Sequence, residues 1–181
     1  MLYTEAKQYL LDKFREAGLK SNPYTTRKSL EKSLESHVGA VLFERETYVR
    51  DGSKKLFQDE QGAQRKRRKV FQRSLTFTVI IGGYSDDQTE ALLESFVAAL
   101  EPGIYVNGNF VPITIDGADW VDRDDSILKA QVAVQIGVTF SGGIYRDTGF
   151  APLSQVEIVD IENEKGEFAD GQQNKQAGGS A

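Results

Sequence analysis

The sequence predicts an α+β fold, a mostly antiparallel sheet with two main helices and an extended hairpin arm, and three observations lead there. A period of two runs unbroken through residues 128–140, where Leu128, Ala130, Val132, Val134, Ile136, Val138 and Phe140 alternate with Lys129, Gln131, Ala133, Gln135, Gly137 and Thr139. Apolar residues recur at helical spacing in two separate stretches, near residues 5–17 and 86–100. Asn107-Gly108, between IYV and NFVPITI, is the strongest short hairpin signal a sequence offers, because both residues tolerate the positive φ of a type I′ turn.

Taken in order, Thr4 is placed to cap a helix over residues 5–17 that buries Ala6, Leu10, Phe14 and Ala17 and stops at Gly18. Residues 19–36, rich in Ser, Thr, Lys and Asn, read as a loop with a short helical turn. VGAVLFERETYVRDG, residues 38–52, and QRSLTFTVIIGG, residues 72–83, read as two strands. The polar stretch between them, residues 53–69, is too long for a tight turn and reads as the hairpin arm. Ser85 and Gln88 have capping-box spacing, with Asp86 and Asp87 suited to the positive end of a helix dipole. Leu92, Phe96, Val97, Ala99 and Leu100 form the expected buried stripe before Pro102-Gly103 ends that helix. The long alternating strand should be central to the sheet, since a slip of one residue would turn its whole apolar set to solvent. One domain is expected over residues 1–150. Residues 151–181 are expected to form an extension, a last strand within APLSQVEIVDIENE and then a polar tail.

The bulk properties restrict function. With 22 Lys and Arg against 27 Asp and Glu, the net charge is −5, so attraction to a polyanion has to be local. The chain has no cysteine and one histidine, which removes disulfides, thiolate chemistry and tetrahedral Cys/His zinc sites. No apolar signal core stands at the start, and no later stretch has the roughly 20 apolar residues of a membrane span. Folding in the cytoplasm, with no membrane partner, is the expectation.

His37 beside Ser36 reads as a solvated strand-start residue, since a general base needs an oriented partner. Gly82-Gly83 and Gly142-Gly143 follow strands without any phosphate-loop pattern and read as strand-end breakers. Asp116, Asp119, Asp122, Asp124 and Asp125 form an acidic cluster. Counted from Asp122, the calcium-loop pattern fails, because Ile127 stands where glycine is needed and Ala133 where a carboxylate is needed. A solvated inter-strand loop, an inter-subunit contact and a hard-metal site are the readings of that cluster. Trp120 lies within it, either as a lid on the sheet edge or as an interface anchor. No catalytic residue, cofactor site or metal site is assigned.

Five consecutive cations, Arg65, Lys66, Arg67, Arg68 and Lys69, stand out in an acidic chain. They read as a charged guard on an edge strand, as a dock for an acidic protein surface, or as a phosphate contact. No aromatic residue interleaves them, which disfavours stacking of single-stranded bases. Residues 53–73 hold eight Lys and Arg against two acids, whereas residues 86–125 hold ten acids against one Arg. Opposite patches on one chain invite head-to-tail pairing between copies, the kind of contact that closes into rings.

The stretch WVDRDDSILKAQVAVQIGVTFSGGIYR, residues 120–146, resembles the closing strand and preceding acidic turn of the tail terminator, or tail completion, proteins of long-tailed bacteriophages and phage-tail-like particles. The order of elements over residues 1–145 is similar as well. What the resemblance implies is a non-enzymatic structural protein without cofactors, forming a hexameric ring on the end of the tail tube. Such a ring ends tube polymerisation and presents a surface to the head-side connector or neck, with DNA passing through its channel without sequence-specific binding. Localisation would be the virion tail and neck, after assembly in the host cytoplasm. Copies of itself, the tube protein, the neck protein and, in a contractile tail, the sheath are the implied partners. The residues expected at subunit or ring interfaces are Arg65, Lys66, Arg67, Arg68, Lys69, Trp120, Asp122, Arg123, Asp124 and Asp125. The long basic arm and the acidic segment beyond Phe150 depart from compact members of that family. Another neck component, such as a head-closure or head-to-tail joining protein, is the alternative within the same class. A nucleic-acid-binding accessory factor using the arm, and a metal-dependent hydrolase using the aspartates, are the alternatives outside it.

Overall fold

The computed structural model describes residues 1–33, 35, 37–122 and 132–150. The first four residues of the alternating run, and the strand and tail expected beyond residue 150, lie outside the described residues. Within them the fold is α+β, as predicted: a mixed set of helices against a mostly antiparallel six-stranded sheet.

Helix α1 spans Leu2–Glu16, beginning three residues earlier than the start expected at residue 5 behind a Thr4 cap. Burial decides the difference, because Leu2 packs in the same apolar stripe as Ala6, Leu10 and Phe14, and no side chain caps the first turn. The predicted stop holds. Gly18 adopts φ +94°, its N–H donates to the Arg15 carbonyl, and the Leu19 N–H donates to the Phe14 carbonyl at 3.1 Å. That closes the helix in a Schellman turn, with Leu19 buried beside Phe14. Helix α2, Arg27–Glu31, is the short turn foreseen in the polar segment, capped by Thr26, whose hydroxyl accepts from the Ser29 N–H.

Strand β1 is Val38–Arg50, β2 is Lys54–Gln58 and β3 is Gln64–Gly83. Helix α3, Asp86–Ala99, starts at Ser85, whose hydroxyl accepts from the Gln88 N–H. It buries Thr89, Leu92 and Phe96, while Val97, expected inside, is 37% exposed. The inward place in the first turn belongs instead to Thr89, which lies over Gly83, where a Cβ would stand 2.3 Å from the Thr89 Oγ1. Strands β4, Gly103–Val106, and β5, Asn109–Asp122, meet at Asn107 and Gly108, both with positive φ as a type I′ turn requires. Strand β6, Val132–Gly149, completes the sheet in the order β1-β3-β6-β5-β4, with β2 also on β3.

The predicted centrality of the alternating strand is observed, since β6 lies between β3 and β5. One face of the sheet, from Val41, Leu75, Phe77, Val79, Ile81, Val134, Ile136, Val138 and Phe140, packs under α1 and α3. Phe14 and Phe96 join those helices with ring centroids 4.6 Å apart. On the opposite face a smaller cluster sets Leu30 of α2 over Val38, Ala40, Leu42, Ile80 and Ala133. Gly142-Gly143, expected to break a strand, lie inside β6. A Cβ at Gly142 would stand 2.6 Å from the Leu2 side chain and one at Gly143 would stand 2.8 Å from those of Lys69 and Tyr145. The pair serves close packing on both faces.

Candidate assembly surfaces

The arm contains the expected hairpin, β2 with β3, and carries a third strand besides. Strand β3 continues from the core into it past a register shift between Lys69 and Phe71, β2 pairs along residues 64–68 on one side, and β6 pairs along residues 65–69 on the other. Three strands therefore project together, and Arg65, Lys66, Arg67, Arg68 and Lys69 occupy the middle one. The edge-guard reading of these cations fails for that reason: both sides of their strand are already hydrogen-bonded.

Side chains alternate across a strand, and directly paired residues share a face, so the register divides the five cations into two sets. On the first face Arg65 is opposite Phe57 and Gly149, Arg67 opposite Lys55 and Asp147, and Lys69 opposite Tyr145. Here the cations are neutralised from within. Arg67 binds Asp147 through two parallel hydrogen bonds, donates to the Asn109 side chain at 3.1 Å, and lies 4.5 Å from the Phe57 ring centroid. Arg65 donates to Asp59 at 2.8 Å, and Lys69 lies 3.6 Å from Asp51. The arm carboxyls respond. The Arg67 hydrogen bonds hold Asp147 below the usual carboxylate range. The Arg65 hydrogen bond, with the Ala63 amide, does the same for Asp59, and the amide and hydroxyl of Ser53 lower Asp51. Burial pushes the Tyr145 phenol up.

The second face is different. Arg68 stands directly between Lys54 of β2 and Arg146 of β6, and Lys66 stands between Leu56 and Thr148. Like charges in one row repel. Among the described residues, none of Lys54, Lys66, Arg68 and Arg146 has a carboxylate within ion-pair distance. Leu56, 64% exposed, and Ile144, 40% exposed, add apolar surface to this cationic face.

The aspartates expected in an acidic loop belong in part to a strand, because β5 runs through Asp116, Asp119 and Trp120 to Asp122. A register shift between Ile115 and Ala118 marks a bulge that accommodates Asp116 and Gly117. Trp120 pairs with Val134 on the outermost strand at that level and is 47% exposed. It borders a groove of about 410 Å³ with Val121, Val132 and the α3 carboxylates Asp86 and Glu90. A larger hollow of about 810 Å³ opens where Glu44, Asp116 and Asp119 meet Arg27. Arg123, Asp124 and Asp125 lie outside the described residues, as does the side chain of Asp122. The two groups of expected interface residues are thus not brought together. They sit at opposite ends of the sheet.

Comparison with models of known protein families gives no match. Nor does comparison with curated proteins.

Sequence reasoning missed Lys54, Arg146 and Asp147 as parts of the arm surface. Reading Gly142-Gly143 as a strand end concealed the last two. The signal that could have found them is Ile144, Tyr145 and Thr148, a β-forming run that resumes directly after the glycines. No described helix is long and apolar enough to cross a membrane. Among the described residues no three His, Asp or Glu side chains converge as a metal cage would need.

Proposed function

We propose that this chain is a structural subunit that forms a ring on the end of a phage tail tube, ending tube polymerisation and offering a surface for attachment of the head. The observation that carries the reading is the polarity of the sheet, a three-stranded cationic arm at one end and an acidic, tryptophan-bearing edge at the other. Such surfaces suit contacts between copies and with neighbouring rings, because stable rings need interface area that a compact core does not supply. The α+β body agrees with the fold implied by the likeness of residues 120–146 to tail terminators. Negative-stain imaging of the purified chain with tail tubes tests it: rings at tube ends are the expected result, and bare tubes beside monomers would refute it.

A second reading is favoured by one observation. Lys54, Lys66, Arg68 and Arg146 present four cations on one face without a carboxylate partner among the described residues, which suits contact with a nucleic-acid backbone. Duplex binding that weakens steeply with salt, and is lost on reversing Arg68, would favour it.

A further inference from the structure

We propose that the cationic face of the arm docks onto the acidic end of a second copy, with Leu56 and Arg68 meeting the groove beside Trp120. This rests on the ring-forming reading and names the two surfaces that join the subunits.

Three observations lead to a second copy as the occupant. The first is charge complementarity within one sequence. Between Ser74 and Asp122 the chain has eight carboxylates and no Lys or Arg, whereas the second face of the arm carries four cations. Among the described residues each patch lacks what the other supplies. The second is chemical mixture. The arm face holds exposed Leu56 and Ile144 among its cations, and the groove holds exposed Trp120 and half-buried Val121 among its carboxylates. A phosphate backbone would leave that apolar surface uncovered, while a protein groove of the same composition covers it. The third is distance. Trp120 pairs with Val134 and Arg68 with Arg146, so the patches lie twelve positions apart along β6, about 40 Å at strand rise. The β3–β6 ladder, with one register shift between Lys69 and Phe71, spans that interval and holds the two patches apart, so a chain cannot fold its own arm onto its own groove. The complement is met only between copies, head to tail, which gives a heterologous contact that closes into a ring when the rotation permits.

Charge reversal with exchange tests this. Lys66→Glu with Arg68→Glu, and separately Asp86→Lys with Glu90→Lys, should each raise the concentration at which the chain self-associates by at least about tenfold, the effect of losing about 1.4 kcal/mol. Mixing the two variants should restore association, because reversed arm then meets reversed groove and intact arm meets intact groove. Lys55→Glu, on the other face of β2, should leave association unchanged. Far-UV circular dichroism and the unfolding midpoint check that the variants fold; if Asp86→Lys loosens the start of α3, Glu90→Lys alone carries the groove arm of the test.

Unchanged association in the arm variant overturns the proposal, and so does a mixture that fails to reassociate. A wild-type chain still monomeric at about millimolar concentration also overturns it. Duplex DNA binding abolished by Lys66→Glu with Arg68→Glu while oligomer size is unchanged would assign the face to phosphates instead. The outcomes separate this proposal from the tube-capping reading. Variants that still form rings on tubes sink only the docking surface, whereas wild-type chains that associate through these patches but ignore tubes sink only the capping role.

Discussion

Arg67 and Asp147, eighty residues apart in the chain, face each other across β3 and β6 with two parallel hydrogen bonds of 2.8 and 2.7 Å. The pair ties the two longer strands of the arm together, and the Phe57 ring beneath the guanidinium ties in the third. Because the fork matches the carboxylate in both shape and charge, lysine is not an equivalent. Arg67→Lys and Asp147→Asn should each cost about 1 kcal/mol. The loss should be local: hydrogen exchange at residues 54–58 should quicken while amides of Val79 and Val138 keep their protection. Equal acceleration in both regions would show that the arm and the core open as one unit.

Acid should loosen the arm before the core. Asp51, Asp59 and Asp147 all titrate below the ordinary carboxylate value of 3.8, so the folded chain binds fewer protons than the unfolded chain in the acid range. Their stabilisation is complete above that ordinary value and is lost as pH falls through the depressed folded values. Amide resonances of residues 54–58 and 64–69 should therefore lose dispersion on acidification while those of Phe77 and Phe140 persist. Simultaneous loss of both sets would contradict this.

Core truncation should be severe. Phe140 is fully buried, edge-on to Tyr9 and Phe77 at centroid distances of 6.1 and 5.9 Å. Phe140→Ala should reduce unfolding free energy by about 3–5 kcal/mol, read from the denaturant midpoint at constant slope. A loss under about 1 kcal/mol would mean that α1 settles into the space.

Gly39 sets the distance between α1 and the sheet. A Cβ there would stand 2.5 Å from Leu19 Cδ2 and 3.0 Å from the Phe14 ring. Both neighbours are buried, so Gly39→Ala should destabilise by about 1–3 kcal/mol through overpacking. A neutral result would show that the Schellman turn at Gly18 and Leu19 shifts freely.

Trp120 should report assembly rather than stability. It is the sole tryptophan and is half exposed, so Trp120→Ser should change unfolding free energy by under about 0.5 kcal/mol while weakening self-association. In the native sequence its emission should move to shorter wavelength as concentration rises through the association range. Emission that is independent of concentration would place this residue outside the contact.

Much of this was legible in the residues, for physical reasons that differ by element. The alternation through Phe140 identified a central strand because burial on a helix-covered face permits only one register. Ser85 and Asn107-Gly108 announced their caps and turns through local chemistry alone. The arm was harder. Residues 64–69 are polar throughout, so no hydrophobic period betrays a strand whose pairing depends on Arg67–Asp147 and on aromatic rings brought from distant positions. The split of five consecutive cations into a neutralised face and a bare one depends on the partners at Lys54 and Arg146, which only the register reveals. Asp116, Asp119 and Trp120 misled because acidic and glycine residues signal loops, yet a bulge let β5 carry them onward.

The position of β6 has a consequence for synthesis on the ribosome. It inserts between β3 and β5 although it is translated after both, so until Val132 and its successors emerge the nascent chain holds two separate pieces of sheet with open, unsatisfied flanks. Its longest pairing also joins residues up to about eighty positions apart, a topology that folds slowly. Newborn chains should thus pass through an aggregation-prone interval, and a premature stop before residue 132 should yield a product that is captured by chaperones or degraded.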